Sequence, residues 1–92
     1  MQIREPHYSF TLFVTGATVR SARAVANVRR FCEQEIAQEY DLEVVDLYAT
    51  PDRAQSGQVV AAPTLVRSSP KPERRMIGDM SNGSRLKERM KI

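Results

Sequence analysis

Cys32 and His7 are the only cysteine and the only histidine in 92 residues, and between them they limit the chemistry this chain can do. A disulfide needs two thiols, and a structural zinc site needs about four nitrogen or sulfur ligands, so neither is expected. Ser-His-Asp catalysis would have to recruit His7 from an N-terminal segment that is expected to fray. Gly16, Gly57, Gly78 and Gly83 stand apart, so there is no glycine loop to cradle a phosphate. What the chain does carry is arginine. Arg67, Arg74 and Arg75 lie in its second half with Asp79 close behind, and Arg23 lies early in the first. The guanidinium fork pairs with carboxylates in a bidentate way that lysine cannot reproduce, which is the chemistry of a partner surface. No enzyme activity, cofactor or resident metal is expected.

Charge sharpens that reading. From Met1 to Val66 acids outnumber bases eight to six, and from Arg67 to Ile92 bases outnumber acids eight to three. A basic end suits solvent first, an acidic protein next and nucleic acid last. Single-strand recognition usually adds aromatic stacking platforms, and no Phe, Tyr or Trp lies beyond Tyr48. No run of about 18 apolar residues suggests a membrane span, and the N-terminus lacks a signal peptide's apolar core. One cytoplasmic domain spanning 1–92 is the expectation.

The elements that must hold these residues are clearest in the first half. Tyr8, Phe10, Leu12 and Val14 alternate with polar neighbours and define one face of a strand. Thr15–Thr18 breaks it, Gly16 gives the turn its freedom, and Thr18 or Ser21 can cap a helix running from Val19 to about Gln38. Val25, Val28, Cys32 and Ile36, flanked by Ala24 and Phe31, form its apolar stripe, so Cys32 reads as a core residue. Asp41–Tyr48 is a second strand, which makes a βαβ unit with parallel strands. Asp52–Gln58 suits one or two helical turns. Pro63 leads a strand over Thr64–Val66, Ser68–Pro72 reads as a loop, and Arg74–Ile77 returns antiparallel. Gly78-Asp79 turns the chain into a short, marginal helix. Ser81 or Ser84 would cap it, and only Leu86 and Met90 would hold it down.

This order of elements resembles the thioredoxin fold, in which a Cys-x-x-Cys pair opens the first helix opposite a cis-proline. Here the matching turn, Thr15 to Ser21, has no cysteine, and Pro63 faces no thiol. Thiol–disulfide exchange has no nucleophile there. The details resemble a narrower group, the KaiB family of circadian-clock proteins. They begin with Tyr8–Val14 and Gly16, Thr18, Ser21, Arg23 and Ala24, and continue with Val45-Asp46 and Pro51. Ala62-Pro63-Thr64-Leu65, Pro70, Pro72 and Arg74-Arg75-Met76-Ile77-Gly78-Asp79-Met80-Ser81 complete the series.

The resemblance implies a partner-binding regulator of a KaiC-type ATPase ring, with a KaiA-like protein as a second partner. It also implies two folds, differing in the C-terminal half: a thioredoxin-like monomer and an oligomeric ground state, dimer or tetramer. On this reading Arg23, Arg67, Arg74, Arg75 and Asp79 bind the partner, while Gly16, Pro63 and Gly78 shape the fold or its switching. The chain departs from the family where Gln58 replaces a usual lysine, where Glu43 replaces a usual basic residue, and where the sequence stops at Ile92 instead of continuing into an acidic tail. Those departures imply a divergent paralogue. Two other readings compete: a thioredoxin-like interaction or sensor module outside a clock, resembling the input domain of clock-output histidine kinases, and a degenerate thiol enzyme using Cys32.

Overall fold

The computed structural model describes residues 7–36, 39–57, 59 and 62–92. Seven elements follow in the order β1 (Tyr8–Val14), α1 (Val19–Glu35), β2 (Tyr40–Asp46), α2 (Asp52–Ser56), β3 (Thr64–Ser69), β4 (Arg74–Ile77) and α3 (Gly83–Met90). The sheet runs β2-β1-β3-β4. β1 pairs in parallel with β2, Tyr8 opposite Tyr40 and Val14 opposite Asp46, as a strand–helix–strand crossover requires. β3 returns antiparallel to β1, and β4 antiparallel to β3.

β1 is one of two interior strands and packs apolar side chains on both faces, four positions on one and Phe13 on the other. Phe10, Leu12 and Val14 point with Leu65 into the main core, where Ala24, Val28, Phe31, Cys32 and Ile36 of α1 meet Leu86 and Met90 of α3. Phe13 points the other way and packs with Val45 and Val66 in a smaller cluster beside Leu47 and Val59. The two faces differ in depth because α1 and α3 share the first, while α2, with no buried residue, contributes little to the second.

Several boundaries differ from expectation. α1 ends at Glu35 with Ile36 as its C-cap, and the further extension to Gln38 falls outside the described residues. β3 continues through Ser68 and Ser69, which read as loop: Ser69 pairs with Ser9 of β1 beyond a bulge at Ser68. The expected hydroxyl cap of the last helix is also wrong. Asn82 caps α3, its side chain accepting from the Arg85 N–H at 3.0 Å. Thr18 caps α1 by accepting from the Ser21 N–H, one of the two residues expected there.

Two glycines are placed by backbone need. Gly16 has φ +66, and a Cβ on it would meet the Tyr48 ring at 2.9 Å. Gly78 has φ +134, a region closed to side-chain-bearing residues, as it turns the chain out of β4. Two residues later Met80 adopts φ 62 and buries its side chain to 3% exposure, so its burial offsets a left-handed conformation costing about 1 kcal/mol. The Ala62–Pro63 bond is cis, and Pro63 is fully buried.

Candidate protein-interaction surface

The loop between β1 and α1 is where a thioredoxin would keep its thiols. Here hydroxyls and one carboxylate fill that place. Ser21, 3% exposed, accepts from the Thr15 N–H and from the Thr18 hydroxyl through its Oγ. Asp46 Oδ1 accepts from the backbone N–H of Gly16 and of Tyr48, each at 2.9 Å. Those two bonds, the Gly16 bond foremost, hold the Asp46 carboxyl below its ordinary pKa. One carboxylate therefore stitches the tip of β1 to the tip of β2, and the loop is set without any sulfur.

Cys32 lies mid-helix with no exposed surface. Burial, helped by the nearby Glu33 charge, pushes its pKa up to about 11, so the thiol keeps its proton at neutral pH. Among the described residues no group of His, Cys, Asp and Glu is arranged to hold a metal ion. No helix among them is long and apolar enough to cross a membrane.

The residues expected to meet a partner part into two sets. One gathers where β1 and β2 end, β3 begins and β4 finishes. Gly78 donates its N–H to the Pro63 carbonyl at 3.0 Å, and Asn27 of α1 donates to the Asp79 carbonyl at 2.9 Å. Asp79 accepts from the Ser81 hydroxyl and N–H, which lower its pKa, and the charges of Arg20 and Arg23 lower it further. Arg23, Gly78 and Asp79 are thus neighbours at one end of the sheet. Sequence reading missed the apolar residues exposed at this end: Val19 at 71%, Tyr48 at 75% and Ile77 at 57%. Their signal was faint, since each sits at the boundary of an element, where apolar periodicity does not say which way a side chain points.

The second set lies on β3 and β4, and here one expectation needs correcting. Arg67, expected at a partner surface, is only 4% exposed in this fold. One guanidinium nitrogen donates to the Met90 carbonyl at 2.6 Å and another to the Pro72 carbonyl at 2.9 Å. In this fold it ties the last turn of α3 and the β3–β4 loop to the sheet. Arg74 and Arg75 point to opposite faces, as alternation on a strand demands. Arg74 sits opposite Arg67 in the ladder, its Nε buried without a hydrogen-bond partner. Arg75 turns to the thinner face, donating to Glu73 at 2.8 Å and to the Gly57 carbonyl at 2.6 Å, and lines a groove of about 430 Å³ with Thr11, Phe13 and Val66. Glu43, which stands where the family usually has a basic residue, is held by Arg53 in a two-point ion pair of 3.0 and 3.1 Å. Gln58 lies outside the described residues.

Comparison with solved structures bears on the fold. The N-terminal domain of SasA from Synechococcus elongatus superposes with a TM-score of 0.77 at 20% identity, over 96% of this chain and 87% of that one. A thioredoxin from Fasciola hepatica follows at 0.72 and 20% identity, over 92% and 79%. The fold is therefore thioredoxin-like, with its redox loop rebuilt from hydroxyls. Sequence comparison is more specific. The circadian clock protein KaiB3 of Synechocystis sp. is 39% identical over 82% of this chain and 74% of its own length. The clock oscillator protein KaiB of Nostoc punctiforme is 37% identical over 86% and 76%. A family model for the KaiB domain matches residues 11–92, and the chain belongs to the KaiB family.

Proposed function

We propose that this protein is a non-enzymatic clock regulator that binds a KaiC-type ATPase ring and modulates its phosphorylation and ATPase cycle, with a KaiA-like protein as a further partner. One observation carries the reading. Asp79 of the family's distinctive block and Arg23 beside it share one end of the sheet with exposed Val19, Tyr48 and Ile77. Apolar residues left in water beside fixed charges mark a surface meant to be covered. The absence of an enzyme role fits a lone thiol that is buried and protonated. A cytoplasmic location and an oligomeric free state, dimer or tetramer, complete the proposal.

The test is size exclusion with mass detection, run on the protein alone and with a KaiC-type ring and nucleotide. Co-elution with the ring is the expected result, with loss of binding in Tyr48→Ala and in the Arg74→Ala, Arg75→Ala double variant. Tyr48→Ala is the cleaner probe, because Arg75 also bonds to the Gly57 carbonyl. No binding to any KaiC-type ring would leave the family and the fold standing and remove the regulator reading.

A further inference from the structure

The sheet ends on β4, and among the described residues no strand pairs with its outer side. The bond from the Gly78 N–H to the Pro63 carbonyl sets the phase of the β3–β4 ladder. In an antiparallel pair, bonded and non-bonded positions alternate, so Met76 opposite Leu65 bonds inward and Ile77 opposite Thr64 does not. The N–H and C=O of Ile77 point away from β3, into open edge. Its side chain is 57% exposed beside them.

A cleft of about 340 Å³ runs between this edge and α3, lined by Arg75, Met76, Ile77, Arg85 and Arg89. Its walls carry three guanidinium groups and no carboxylate. Arg85 and Arg89 stand one turn apart on the exposed side of α3, and among the described residues neither makes an ion pair. An open strand edge supplies main-chain bonds to an extended peptide, apolar side chains supply pockets, and arginine selects carboxylates. A second copy of this chain fits badly. Pairing β4 with itself would bring two sets of these arginines together, and like charges across a strand pair destabilise it.

We propose that the outer edge of β4, flanked by Arg85 and Arg89, accepts an extended acidic segment of a partner protein as a fifth strand of the sheet. This docking site shares Ile77 with the surface proposed for a KaiC-type ring, but its test uses no ring, so the two proposals fail separately. The probe is a nine-residue peptide alternating valine and glutamate, titrated into the full ¹⁵N-labelled chain and followed by amide shifts. A control peptide carries glutamine for glutamate. Saturable shifts centred on Met76–Gly78 and Arg85–Arg89 are expected, weakening as salt is raised. Arg85→Glu with Arg89→Glu lowers the affinity at least about tenfold. Ile77→Pro also weakens it, because it removes an edge N–H that the β3–β4 ladder does not use. Thermal midpoints establish that both variants are folded. Equal binding of the glutamine peptide, unchanged affinity in the charge-reversed variant, or shifts centred on Arg20 and Arg23 would overturn the proposal. Concentration-dependent shifts along β4 without peptide would do so too, by assigning the edge to a second copy.

Discussion

A guanidinium with no exit to solvent, that of Arg67, ties three distant pieces of chain together. Its two charge-assisted bonds reach the Met90 and Pro72 carbonyls, so truncation leaves both short of a donor inside the protein. Arg67→Ala should cost about 3 kcal/mol in urea unfolding, and Arg67→Met, which keeps the volume and loses the bonds, should recover only part of it. Nothing in the sequence separates Arg67 from Arg74 or Arg75, because its burial comes from a helix that begins sixteen positions later. Asp46 makes the complementary case. Its pKa is lowered in the folded chain, so the stability it contributes is complete above the ordinary carboxylate value of about 4 and is lost as pH falls through the lowered native value. Asp46→Asn should therefore flatten the fall in thermal midpoint as pH drops below about 4, relative to the unsubstituted protein.

At the scale of elements, the first half was plain in the sequence and the second was not. Tyr8–Val14 and the stripe from Ala24 to Ile36 carry periods of two and about 3.6 with enough apolar residues to fix each face. β3 was harder to bound because Ser69 is strand only through pairing with Ser9 of β1, beyond a bulge at Ser68, a contact between positions about sixty residues apart. α3 was expected to be marginal, and its eight residues do hold only Leu86 and Met90 inward. Both are completely buried, however, and the Arg67 bond to the last turn adds an anchor that periodicity cannot reveal. Leu86→Ala should then destabilise by about 2–4 kcal/mol in urea unfolding, and Asn82→Ala by about 1 kcal/mol through loss of the cap. The sensitive measurement is hydrogen exchange. Amides of α3 should lose protection in both variants before those of β1 do.

Taken whole, the molecule is a sheet with one deep face and one shallow one, and its motions should follow that asymmetry. β1 is paired on both sides and packed on both faces, whereas α2 buries nothing and β2 and β4 are edges. Peptide-resolved hydrogen exchange should find β1 and the buried side of α1 slowest, near the limit set by global unfolding, with α2 and β4 opening first. Exchange from β1 as fast as from β4 would contradict the packing. The open edge proposed as a docking site lies on β4, where opening costs least. The enclosed Cys32 has a practical consequence for studying the proposed surfaces. Because the sole native thiol is sealed and protonated, a cysteine introduced at an exposed position such as Ser84, outside both surfaces, would be the only site open to maleimide chemistry. The unaltered background is thus ready for single-site fluorescent or spin labelling, and each surface can be watched separately as a partner arrives.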